Sequence, residues 1–205
     1  MKKPVSSKIA LAVCLFVMSS AAFGQQQHRP RRSGGLDNLS LPSTGAAIAS
    51  SSWQTVTPDG AGFSVMMPGL PDEMSKEMGS SGTKLREYRV KADGTNYAVG
   101  VFLNFPTELR QLPNFAEQYL DLLPTNMIKS SQYAGRNYKL ASQRAITIND
   151  YPGRQYKFDS PDYTCTMRVY VAEHSVYVVA VEGQRATIST EKVEKFLSSF
   201  SLKDN

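Results

Sequence analysis

Apolar and polar positions alternate through most of the chain beyond residue 52, and a period of two predicts strands. Residues 53–57 and 62–67 read as an opening pair, turned at Pro58-Asp59-Gly60 and stopped by Pro68-Gly69-Leu70-Pro71. Residues 85–91 and 96–105 read as a hairpin through Asp93-Gly94. In its second arm Tyr97, Val99, Val101, Leu103 and Phe105 are expected on one face. The spacing of Phe115, Tyr119, Leu122 and Leu123 instead has helical period, so 114–133 is a predicted helix with Asn114 as its N-cap. Pro124 lies inside it and should kink or split it. Three further strands, 139–148, 153–159 and 163–172, are separated by Asn149-Asp150-Tyr151-Pro152 and Ser160-Pro161-Asp162. The run 176–181 (VYVVAV) is almost wholly apolar and reads as a central strand covered on both faces. A closing helix spans 189–200, capped by Ser189, with Glu191 in its first turn and Ile188 and Val193 at the staple positions.

Short turns between consecutive strands favour antiparallel pairing, because parallel pairing needs long crossovers. The expected fold class is therefore α+β: an antiparallel central sheet of about six or seven strands flanked by helices, an α/β/α sandwich. Residues 53–205 form one domain, long enough to bury roughly 70% of its unfolded surface.

The N-terminus has a different pattern. Lys2, Lys3 and Lys8 precede ten unbroken apolar residues, 9–18, and Ala22-Phe23-Gly24 supplies small residues at a processing site. That arrangement reads as a secretory signal peptide, 1–24, with Ala22 and Gly24 marking the cleavage. Ten helical residues span ~15 Å, half of the ~30 Å hydrocarbon core of a bilayer, so no membrane anchor is expected after processing. A lipobox around Leu11-Ala12-Val13-Cys14 is the weaker reading, since Val13 is not small. Residues 25–52 lack aromatic side chains and sustained period, and read as a disordered leader. Its His28–Arg32 stretch (HRPRR) is either a solvated tail or a weak tether to an anionic surface. The expected location is periplasmic or secreted.

Charge narrows the possible partners. The net +5 comes from the signal and the leader, whereas basic and acidic residues balance from Trp53 onward. A nucleic-acid domain needs its own basic excess, so nucleic acid is not an expected partner.

The chain has few residues for chemistry. Of two histidines, His28 falls in the leader and His174 in the turn Glu173-His174-Ser175. No Gly-x-Ser-x-Gly elbow exists. Cys165 is the one cysteine left after processing and shares a strand face with Met167, Val169 and Val171, the pattern of a buried core thiol. Neither a metal site nor a cofactor is expected. Gly79-Ser80-Ser81-Gly82-Thr83-Lys84 has two residues between its glycines where a phosphate loop needs four, and reads as a turn. The face opposite Cys165 carries Thr164, Thr166, Arg168 and Tyr170; Arg86/Tyr88 and Arg154/Tyr156 repeat the Arg-x-Tyr spacing. Arginine and tyrosine are enriched at interfaces, so Arg168 and Tyr170 are the expected partner contacts. The alternative is a sheet face covered by a helix, with the arginine stems packed.

Trp53 followed by 62–71 (GFSVMMPGLP), then Tyr151-Pro152-Gly153-Arg154, the strand pair around 167–171 and 176–179, and the ending 195–202 resemble small exported bacterial domains of the PsbP-like type. That group also includes the Ran-binding import factor and DcrB-type envelope lipoproteins. The resemblance spans nearly all of residues 53–202. It implies an antiparallel sheet between helices and a binding or assembly role without a shared reaction, so it supplies no catalytic residues. The expected function is thus a non-enzymatic, monomeric envelope binding domain, its partner an envelope protein, a lipid or a cell-wall component. The rival is a small hydrolase using carboxylates or a serine.

Overall fold

In the computed structural model, residues 52–203 are described, apart from 79–81, 106–110, 112 and 134. The expected signal peptide, the expected leader up to residue 51 and most of the glycine-serine turn lie outside the described residues. The elements in order are β1 (Gln54–Val56), β2 (Phe63–Met67), β3 (Asp72–Met78), β4 (Thr83–Ala92), β5 (Thr95–Leu103), α1 (Phe115–Tyr133), β6 (Lys139–Ile148), β7 (Tyr151–Asp159), β8 (Tyr163–Val171), β9 (Ser175–Gln184), α2 (Thr190–Ser199) and β10 (Ser201–Leu202).

Seven strands pair antiparallel in the order β3-β4-β5-β9-β8-β7-β6. The apolar run predicted as a central strand is β9, fourth of the seven, and every residue from 176 to 183 in it is buried. After β5 the chain passes through α1 to the far edge at β6, then returns by three hairpins until β9 closes on β5. α1 and β5–β9 enclose one core, with Phe102, Leu123, Met127, Tyr156, Phe158 and Cys165 buried in it. On the other face α2 and β2 pack Phe63, Tyr97, Val179 and Phe196 into a second. The layers are α1, the sheet, and α2 beside a small sheet β1-β2-β10.

The expected α+β sandwich forms, with differences of strand membership. The two opening strands leave the central sheet and pair with each other and with β10. The seventh place is taken by β3, which has no period to betray it: DEMSKEM is exposed along almost its whole length. An edge strand needs one neighbour and no buried face, so its sequence is free to be polar. Phe105 sits in the α1-side core, not with Tyr97 and Val99, because Asn104 adopts φ +55 and breaks the alternation after Leu103.

The turns follow backbone chemistry. Asp93 and Gly94 both have positive φ, as a two-residue hairpin turn requires. Asn149 and Asp150 do the same, with φ +45 and +64, so Tyr151 and Pro152 belong to β7 and not to the turn. Pro152 is tolerated there because pairing to β8 starts only at Gly153. Asn114 precedes α1 and its carbonyl takes the Gln118 N–H at 3.0 Å, but its φ is +58 where an ordinary N-cap is extended. Ser189 caps α2 as expected, its Oγ accepting from the Lys192 N–H at 3.3 Å, while Ile188 and Val193 join the same core.

Pro124 does not split α1, which continues for 19 residues. Proline cannot donate to the carbonyl four residues back, so the buried Leu120 oxygen loses its helical partner. The Tyr156 hydroxyl of β7 donates to that oxygen at 2.6 Å. Past the end of α1 Gly135 has φ +69, and the Arg136 N–H returns to the Ser131 carbonyl at 2.8 Å, a Schellman closure.

Candidate functional site

The three Arg-x-Tyr pairs each fasten an element to the sheet. Arg154 on β7 pairs with Asp121 of α1, beside the Tyr156 bond. Arg86 on β4 holds Glu73 of β3 at 2.8 Å and the Asp59 carbonyl at 2.6 Å, and Tyr88 lies edge-on to Phe63. Arg168 and Tyr170, the expected partner contacts, lie beneath α2. Arg168 donates to Gln155 Oε1 and to the Leu197 carbonyl, both at 2.8 Å, and reaches Glu194 at 3.5 Å. The last turn of α2 has no basic residue of its own. Arg168 therefore supplies the cation that its unsatisfied carbonyls favour. Tyr170 is buried, stacked on Phe200 with rings 6° from parallel. It covers Gly153, where a Cβ would stand 2.6 Å from the Tyr170 ring and from the Val169 carbonyl. The partner these two residues meet is the chain's own closing helix.

A charged network lies on the α1 face of the sheet. Glu182 continues the inward phase of Val176, Val178 and Ala180, and its side chain is 5% exposed. Tyr138 donates to Glu182 Oε1 at 2.6 Å, and Arg136 Nε stands 3.6 Å from the same oxygen. The Arg136 guanidinium also lies 3.8 Å over the Tyr163 ring. Glu87 and Arg89 form an ion pair on β4. Burial pulls the Arg89 guanidinium down, against the fields of Glu182 and Asp72. Two carboxylates thus face two guanidiniums, and the charges compensate. Sequence reading passed over this group. The signal was a glutamate in phase with buried positions of the central strand.

Cys165 is fully buried on this face, and burial pushes its thiol well above the usual value, so it remains a neutral core residue. Among the described residues no three His, Cys, Asp or Glu side chains gather as a metal set.

A third gathering of polar groups is open. At one end of the sheet the β6–β7 turn, the β8–β9 turn and the segment after β10 surround a cleft of about 420 Å³. Asn149, Tyr151, His174, Ser175, Tyr177 and Lys203 line it, with Glu173 beside them. His174, expected in a solvent-facing turn, is 72% exposed on this rim, with Nε2 3.5 Å from Glu173. Gly62 forms the floor. Its φ is +70, and a Cβ there would lie 2.7 Å from the Tyr177 hydroxyl. The cleft is assembled from segments more than a hundred residues apart, so only the folded chain reveals it.

The tyrosines predict how the domain responds to alkali. Burial raises Tyr138 and Tyr156, and lifts Tyr88 to about 12. An unfolded phenol releases its proton near pH 10. Above that pH the unfolded chain loses protons that the folded chain keeps, so this contribution, complete below pH 10, is lost as pH rises toward 12. Phenolate absorbance of the buried tyrosines is expected to appear together with loss of the circular dichroism signal. A phenolate titration completed near pH 10 with the fold intact would contradict the burial.

The described residues contain no helix long and apolar enough to cross a membrane. No family model and no curated protein matches the chain. Among solved structures it is similar to the solution structure of cyanobacterial PsbP (CyanoP) from Synechocystis sp. PCC 6803, with a TM-score of 0.53 at 13% identity. The match covers 78% of this chain and 98% of that one. The fold is PsbP-like, as the sequence resemblance implied.

Proposed function

We propose that this chain is an exported, non-enzymatic binding domain of the cell envelope, and that its ligand seats in the end cleft. The observation that carries the reading is the contrast between the two polar gatherings. The interior charges compensate one another around Glu182, whereas the cleft is lined by exposed Asn149, Glu173, His174 and Lys203 and half-buried Tyr151. Its volume falls in the ordinary range for small-ligand sites. Of the three partner classes, a neutral and strongly polar cell-wall fragment suits such a lining best. An acyl chain would desolvate the Asn149 amide without giving it a partner. The signal-like residues 1–24 support export.

Titration of the purified protein with a soluble N-acetylglucosamine disaccharide, a neutral cell-wall sugar, tests the ligand. Amide shifts are expected at Asn149, Tyr151 and Ser175, and Tyr151→Ala should weaken binding by about tenfold, the scale of one aromatic contact. Shifts absent from the cleft would sink the reading. Turnover of a glycoside or ester that disappears in Glu173→Gln or His174→Ala would replace it with the hydrolase. Export has a separate check: protein recovered from the envelope fraction should begin at Gln25.

A further inference from the structure

The two edges of the seven-stranded sheet are protected unequally. β3 carries Asp72, Glu73, Lys76 and Glu77 within seven residues, the charged edge that discourages strand addition. β6 is ten residues long and exposed along most of its length. Its bulge lies near its start, between Leu140 and Ser142, which leaves 142–148 as regular strand. The one charge in that stretch is Arg144. Among the described residues no other strand pairs with the outer side of β6, which leaves its outward N–H and C=O groups without a ladder partner there.

Charge gives this edge a sign. Lys139 and Arg144 on β6 and Lys157 on β7 occupy one face and all three are exposed, with Asp159, opposite Lys139, the one carboxylate of the two strands on it. None of the three cations has an ion pair among the described residues; Arg144 donates only to Gln155, at 3.2 Å. Further along the same face Ile146 and Ile148 are half-buried. We infer that the β6 edge accepts an extended acidic segment of a partner protein as an eighth strand. Main-chain bonds provide the attachment, and alternate side chains provide the selectivity. An acidic residue faces Ser142 and Arg144, and an apolar residue faces Ile146 and Ile148. This surface is separate from the end cleft and does not depend on what the cleft binds.

A blocked peptide, Val-Thr-Val-Thr-Glu-Thr-Glu, is the probe, and the same peptide with lysine for glutamate is its control. In the purified protein, hydrogen exchange at the outward amides of 142–148 should slow by about tenfold at nine-tenths occupancy, since only free edges exchange. The lysine peptide should not protect them. Arg144→Glu should reverse the preference, favouring the lysine peptide, an exchange of specificity that a purely structural role would not produce. Protection by both peptides alike, protection at β3, or none at all would overturn the proposal. So would retention on anionic vesicles without β6 protection. Protection that grows with protein concentration in the absence of peptide would assign the edge to a second copy instead.

Discussion

Replacing Glu182 with alanine is expected to lower the stability of the domain by about 3–5 kcal/mol, the cost of removing one partner from a buried ion pair. The Tyr138 hydroxyl loses its acceptor at 2.6 Å and Arg136 loses its counter-charge, both beneath α1. Arg89, whose guanidinium burial already disfavours, loses the field of the same carboxylate. Against a total of roughly 5–15 kcal/mol for an ordinary domain, that loss brings the chain near unfolding at physiological temperature. Glu182→Gln keeps an acceptor for Tyr138 while removing the charge, and should cost less, about 1–3 kcal/mol. Urea denaturation of the two variants measures both. A cost below about 1 kcal/mol for the alanine variant, the level of an exposed pair, would mean that water reaches the network.

Tyr156→Phe should cost about 1–3 kcal/mol, the penalty for a buried carbonyl left without a donor. The effect belongs to Pro124. With proline at that position the Leu120 oxygen has no helical donor, and the Tyr156 hydroxyl is its replacement. In a Pro124→Ala background the restored N–H can satisfy Leu120, so the same Tyr156→Phe change should cost markedly less. The double-mutant cycle isolates that coupling. Equal costs in both backgrounds would show that Tyr156 acts through packing alone.

Much of the architecture was legible because it rests on local chemistry. Asp93-Gly94 makes a hairpin turn in almost any context, Ser189 offers an oxygen at a helix start, and an unbroken apolar run belongs where a sheet is covered twice. Cys165 was legible for the same reason, lying in phase with Met167, Val169 and Val171. β3 was not, since a polar edge strand leaves no periodic trace. Arg168 and Tyr170 were read correctly as a distinctive pair on one face, but whether such a face meets solvent, a stranger or the chain's own helix depends on where α2 comes to rest. Pro124 carried a true local signal, a missing donor, whose remedy lies 32 residues away in Tyr156.

Residues 53–202 by themselves determined every strand but β3 and β10, the two helices and the antiparallel habit, because alternation, caps and turn residues act over a few neighbours. The zero net charge of the domain, counted without any fold, is likewise a property of the sequence alone. Tertiary structure alone decided which edge stays bare, which carboxylate is buried against which guanidinium, and that two turns and the segment after β10 meet around a cleft. Those outcomes depend on contacts between segments far apart in the chain, and no local period encodes them.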